Sequence, residues 1–551
     1  MLMNRSPAPS WITALTVSLA LLSTPTPAAA EEAAPTPVTY RAEILVPGSA
    51  MHGVHGLAFD RDDELYGASL AGYSIYRIDR RTGAVSTEVG YPLGNSDDLA
   101  FGPDGTLAWT AGAFSAIHAR TPDGEFRVLA DGLGGVNSIN FSSDGRLFFT
   151  RIFGGDHLYE IDVAGTHEPR LIAKKLGGLN GFEVTDDNSI IGPLFFKKKV
   201  IEVDLETGTT TDVADGFKTP AAVNIDTQGN LYVVDYVSGE VTRIRLADGT
   251  RDIVAELEPP LDNLAIDKRG FVYISNPAFN RITELDPETG ATRVIVEGQL
   301  STPGALAFDP HGETDRLFIA DFWGSRFVDP ADGTVTLYQP PQGVTASSSI
   351  AVSPHYYALA GIWPFGVVYI VDRATNKLVK RVPISAPYGM SFLADESLLV
   401  ADYRKGQVVH LAPGKSREKS VLLDGLAGPV GLAVSADEKI LYIGEYDSGD
   451  IIAYTRASGA RTTLMRGLEQ PEGIAVDSSG QLIVAEAGLG RIWLLGEHGD
   501  PTVIAEDIPT GLAGGDDLPA PFLPTGVAVD PSGHIYISAD VANALYRLTP
   551  E

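Results

Sequence analysis

A unit of about 43 residues recurs twelve times along this 551-residue chain, and no other feature restricts its fold as strongly. The unit reads x-x-G-L-A-F/V-D, a short turn, G-x-L-Y-V-A-D, a gap, R-I-x-x-L-D and x-x-T-G. Clear copies begin at Val54, Pro220, Leu261, Pro471 and Pro524. Weaker ones begin at Ser96, Val136, Leu179, Pro303, Ser347, Pro387 and Pro429. Within each copy, short β-branched, aromatic or aliphatic runs are bounded by Asp-Gly, Ser-Gly or Gln-Gly, the signature of hairpins. A third run (RITELD) and a fourth (TRVIVEG) complete the unit, and no copy carries a helical period long enough to cover a sheet. Four antiparallel strands at this interval predict an all-β fold of propeller blades.

The chain ends predict how the blades close. A lone fourth strand, Tyr40 to Val46, precedes the first full unit, and the last unit stops without one. If Tyr40–Val46 completes unit six, the strand Thr292–Gly298 is free to complete unit twelve, and both rings lose their exposed edges. The expected architecture is two tandem six-bladed propellers, spanning residues 40–290 and 291–551. A single twelve-bladed ring leaves a very wide axis, and a seven-plus-five division is less symmetric.

Residues 1–30 read as a secretory signal peptide: Arg5, an apolar run from Trp11 to Leu22, and a small-residue cleavage site ending at Ala30. Residues 31–39 read as a linker. The apolar run is too short to span a bilayer, so the expected product is secreted or periplasmic, without membrane insertion. Cysteine is absent, which removes disulfides, thiolate metal sites and a cysteine nucleophile. Acidic residues outnumber basic ones 71 to 41. That balance argues against nucleic acid as a partner and is compatible with cation binding.

The second residue of each x-x-G-L-A segment is expected at the mouth of the innermost strand, beside the central channel. In ring one these are His55, Asp97, Asn137, Asn180, Ala221 and Asp262, five of six able to ligate a metal. Ring two has Gly304, Ser348, Tyr388, Val430, Glu472 and Thr525. Carboxylates and amide carbonyls converging on one axis make an oxygen-rich cage that suits Ca²⁺, while His55 leaves room for Zn²⁺ or Mn²⁺. Asx turns alone account for one such residue but poorly for five around one axis.

The repeat resembles the NHL type. The segments VNSINF at Asn137, LNGFEV at Asn180 and LDNLAID at Asp262 resemble the mouths of SMP-30/gluconolactonase-like propellers and related paraoxonases and squid-type phosphatases. The resemblance implies metal ligation by Asn137, Asn180 and Asp262, with Asp262 also beside the substrate as general base or nucleophile. Two departures stand out: His55 occupies the family's first-blade Glu position, and a blade carrying Ala221 lies between Asn180 and Asp262. Asp97 is then the candidate for the missing negative charge. The implied activity is metal-dependent hydrolysis of a small lactone or ester, with catalytic Asp262 or Asp97 and with His55 or His52 as proton shuttle. A non-catalytic propeller binding a protein, peptide or glycan is the alternative, and a metal-dependent lyase a further one.

Other motifs carry less. The acid or amide after each second strand (Asp235, Asn276, Asp321, Asp402, Glu445, Glu486, Asp540) recurs in units with bare mouths and is expected to anchor turns. Lys197–Lys199 reads as a solvated tip. No nucleophile elbow or phosphate loop is present. The aromatic segments Phe322–Phe327 and Gly361–Gly366 are consistent with a pocket wall or with blade packing.

Overall fold

Every described strand belongs to one of twelve four-stranded antiparallel sheets. The computed structural model describes residues 39–344, 346–361, 366–496, 500–514 and 523–551, and no α-helix occurs among them. The expected signal peptide, nearly all of the linker and the middle of Gly361–Gly366 lie outside the described residues.

The strand order within a blade follows burial. In blade 1 the second strand, Leu65–Ser69, is buried throughout, whereas the outermost, Val85–Val89, is half-buried to exposed. An inner strand has a neighbouring blade on both faces, so its side chains need not alternate; the outer strand borders water and is only partly covered. Each interface between blades is an aliphatic and aromatic layer, and each fully buried side chain contributes about 1.5–3 kcal/mol.

The chain closes two rings of six. Blade 1 packs on blade 6 through Leu57, Leu65 and Ile78 against Ala265, Tyr273 and Ile282. Blade 7 packs on blade 12 through Leu306, Leu317 and Ile319 against Ala528, Tyr536 and Leu545. Their innermost strands, Leu57–Phe59 with Leu264–Ile266 and Pro303–Asp309 with Val527–Val529, are in contact.

The closing device differs from the expected exchange. Tyr40–Val46 pairs antiparallel with Ala544–Pro550 and completes blade 12, not blade 6. Thr292–Val296 stays in blade 6, paired with Arg281–Leu285. The hairpin between those two strands is short, with Gly290 N–H donating to the Asp286 carbonyl, and forming it costs far less chain entropy than sending the strand across to blade 12. Ring one is therefore closed without a shared strand, by apolar packing of blade 1 on blade 6 and by side-chain bonds between them such as Arg80 to Asp267 at 2.8 Å. Ring two alone joins the beginning of the described chain to its end. The 40–290 and 291–551 division shifts accordingly: strand Tyr40–Val46 belongs to ring two, and strand Thr292–Val296 to ring one.

The recurring acid after the second strand is a clamp. Asp235 accepts the N–H groups of Lys218 and Thr219, and Asp321 those of Ser301 and Thr302. Asp402 holds Ala386, Glu445 holds Ala427, and Asp540 holds Gly511 and Leu512. Each ties down the loop that leads into the innermost strand, and so fixes where the mouth residues sit.

Mouth-side loops of the two rings meet. His52 Nε2 lies 2.9 Å from the Asp540 carbonyl, and Asn543 donates to the Met51 carbonyl. Tyr91 donates to the Gly514 carbonyl at 3.2 Å, and the buried Arg326 of ring two donates to the Ala278 carbonyl. Ala71 packs with Phe322 and Leu523. Gly53, at φ +75°, passes so close to the Trp323 indole that a Cβ there would collide with it.

Candidate active site

The polar mouth residues of ring one reach one another. Five innermost strands start at the channel mouth, each anchored from behind by its own blade, and their side chains form a chain of contacts. His55 Nδ1 is 2.8 Å from Asp262 Oδ2 and 3.7 Å from Asp97 Oδ1. Asn137 donates from Nδ2 to Asp97 Oδ2. Ser138 Oγ lies 3.1 Å from Asn137 Oδ1 and 2.9 Å from Asn180 Oδ1. His55, Asp97, Asn137, Asn180 and Asp262 thus share one polar arc, and Ala221, fully buried, leaves the gap in it.

His55 is the most enclosed of them, at 5% exposure, whereas the Asp97 and Asp262 side chains keep 19% and 20%. The imidazole packs edge-on against Trp323 of ring two with ring centres 4.2 Å apart. His55 Nε2 and Trp323 Nε1 are both buried and have no hydrogen-bond partner. Burial opposes a charged imidazole, but Asp262, then Asp97 and Asp98, outweigh it and raise the His55 pKa. Burial pushes the Asp97 carboxyl up to about 6; His55 opposes that rise and Asp262 adds to it.

One step deeper lies a second row. Asp98 Oδ1 accepts from Leu99 N–H and Asn263 Nδ2, and Oδ2 from Ile139 N–H. Burial pushes it up to about 8, with the Asp97 and Asp262 charges adding. Asp98 and Asn263 line a cavity of about 210 Å³ in the ring-one channel, together with Asn140, Glu183 and Asn224. Burial likewise pushes Glu183 up to about 8. This row had a signal in the sequence: the residue after each mouth position is Asp98, Ser138 or Asn263 in three blades. Trp323 had none beyond its aromatic neighbours, because contact between rings leaves no local pattern. His52, a candidate shuttle, instead spans Tyr76 and the Asp540 carbonyl, and burial lowers its pKa to about 4. It is a strut between the rings.

The mouth of ring two differs in kind. Ser348, Tyr388, Val430, Glu472 and Thr525 are all buried. The one carboxyl, Glu472, accepts the Thr525 N–H, and its pKa is raised well above the usual Glu value by burial and by Asp540.

The donor chemistry of ring one fits a hard cation. Asn137 Oδ1 and Asn180 Oδ1 compete for the single proton of Ser138, so one of the two carbonyl oxygens lacks a donor, and two partly exposed carboxylates stand beside them. The ligand set would have to include those amides: among the described residues no three His, Cys, Asp or Glu side chains are grouped to hold a metal ion.

Residues 386–520 match the family model described as SMP-30/Gluconolactonase/LRE-like region. That span lies in ring two, whereas the mouth segments resembling the family lie in ring one. No curated protein matches the chain. Among solved structures, the chain is similar to one in a nidogen/laminin complex, at 21% identity and a TM-score of 0.33, covering 38% of this chain and 92% of that one. It is similar to the tricorn protease at 14% identity and a TM-score of 0.35, covering 80% and 46%. It is also similar to virginiamycin B lyase from Staphylococcus aureus at 15% identity and a TM-score of 0.26, covering 60% and 94%. No helix among the described residues is long and apolar enough to cross a membrane.

Proposed function

We propose that this chain is an exported hydrolase of small lactones or esters, and that its reacting groups stand at the mouth of ring one. The observation that carries the reading is the arc itself: His55 hydrogen-bonded to Asp262 at 2.8 Å, with Asp97 and two asparagine amides beside them on a single channel. The family match at 386–520 supports a lactonase-like propeller in the broad sense. Asp262 is the general base that takes a proton from the attacking water. His55, too enclosed to meet water, is its positioning partner, donating Nδ1–H to Oδ2. Asp262 then returns that proton to the leaving oxygen, and Asp97, 3.7 Å from His55 Nδ1, is the second carboxylate of the arc. A divalent cation, Ca²⁺ first and Zn²⁺ or Mn²⁺ after it, would sit on Asp97, Asn137, Asn180 and Asp262 and supply Lewis-acid polarisation of the acyl oxygen.

The test is elemental analysis of the purified protein, followed by a lactone and ester panel with and without chelator. The expected result is close to one bound divalent cation per chain and hydrolysis that chelator removes and Ca²⁺ restores. Protein that binds no cation and hydrolyses nothing in the panel is a recognition module, and the reading falls.

A further inference from the structure

Between the two rings, at the edge of the ring-one mouth, lies a cavity of about 480 Å³, within the size range of small-molecule pockets. Ring one contributes Tyr236, Val237, Pro259 and Pro260; ring two contributes the segment Phe322–Ser325 and the aromatic Tyr338. One of these residues reaches back to the polar arc: Trp323 packs on His55, with ring centres 4.2 Å apart. The one acid in the wall, Asp321, is held by Arg326 at 3.5 Å and by two backbone N–H groups, so the cavity presents no free charge. Its walls are flat rings and aliphatic surface beside a cluster of carboxyls and amides.

We propose that this cavity holds the apolar body of the substrate, and that Trp323 of ring two is a specificity-determining residue for chemistry carried out in ring one. The ligand class is a neutral ester or lactone bearing a ring or comparable apolar group, with its acyl carbon toward Asp262 and its ring against Trp323, Tyr338 and the proline pair. Ring two is then part of the binding site, and ring one without it is incomplete. The assignment of the reacting end rests on the proposed function; the cavity and its walls do not.

The experiment separates the two. Binding is followed by isothermal titration calorimetry with 1-naphthylacetamide, a neutral amide used as a non-reacting probe, on the full mature chain. Saturable binding is expected in the wild type and in Asp262→Asn. Trp323→Ala should weaken it about tenfold or more, the range expected for losing one large aromatic contact. Val237→Asp is the second variant: Val237 is 55% exposed at the rim and lies outside the ring contact, so a charge there tests the cavity without loosening the fold. It should weaken the probe as well. Where hydrolysis is measurable, Trp323→Ala should raise KM for 1-naphthyl acetate severalfold more than KM for methyl acetate, a split that mere destabilisation does not produce. Probe binding in a chain that hydrolyses nothing keeps the cavity and discards the hydrolase. Absence of saturable binding in the wild type, or unchanged binding in both Trp323→Ala and Val237→Asp, overturns the proposal.

Discussion

The two rings have the same number of blades and the same strand order, yet they differ at the axis and in how they close. Ring one turns His55, Asp97, Asn137, Asn180 and Asp262 toward a shared channel; ring two puts Tyr388, Val430 and one enclosed Glu472 in the same places. Ring one is held shut by packing and side-chain bonds between blades 1 and 6, ring two by a strand borrowed from the start of the described chain. A propeller scaffold leaves its mouth free to vary, because the clamp acids and interblade layers carry the fold without help from the axis. The contrast predicts a division of labour: polar chemistry in one ring, closure and an apolar wall in the other.

The largest effect expected from breaking that contrast is on catalysis. Asp262→Asn should cut kcat by about 10²–10⁴-fold with melting unchanged, the usual scale for losing a general base. Glu472→Gln, at the matching position of ring two, should leave turnover alone. Equal losses from both would erase the distinction between the mouths.

Closure is the next test. Removing residues 39–46 takes the fourth strand from blade 12 and exposes the edge of Ala544–Pro550. Calorimetry should show a transition belonging to ring two lowered by roughly 10 °C, with that of ring one in place. A uniform shift of both would mean that the rings unfold as one unit.

The smallest effect concerns pH. Burial raises Glu472 well above its usual value, so the folded ring holds a proton that the unfolded chain releases. Stability therefore declines as pH rises above the ordinary Glu range. Glu472→Gln should flatten that decline and raise the alkaline melting temperature by about 2–4 °C. Glu183, pushed up to about 8 from 4.5, has the same sign between those two values. It is only half-buried, lines the channel and accepts from Asn224 Nδ2, so Glu183→Gln should give a smaller gain. Thermal melts from pH 5 to pH 9 rank the two variants, and a larger gain from Glu183→Gln would reverse the order of enclosure inferred for the two mouths.

Much of the fold and part of the candidate site were legible in the residues alone. The spacing of Gly-Leu-Ala and Thr-Gly signals marked all twelve blades, because each blade is a local meander whose turns are written in consecutive residues. The mouth row was legible for the same reason: its members recur at one phase of the repeat. The clamp role of Asp235, Asp321 and Asp540 followed from their presence above bare and polar mouths alike. Asp98 was overlooked, although its row shares that phase one residue on.

What the sequence could not rank was the pairing of two interchangeable outer strands. Tyr40–Val46 and Thr292–Val296 both carry an outer strand's mixture of apolar and polar side chains, and either satisfies the edge of either ring. The choice depends on the entropy of closing a short hairpin against a long crossover, which is a property of the whole chain path. The seating of Trp323 on His55 is likewise decided only in three dimensions, since it needs Gly53 to admit the indole and mouth-side loops from opposite rings to meet. Repeating local contacts imprint a period on the residues; a single contact between distant repeats imprints none, and the candidate site is built from both.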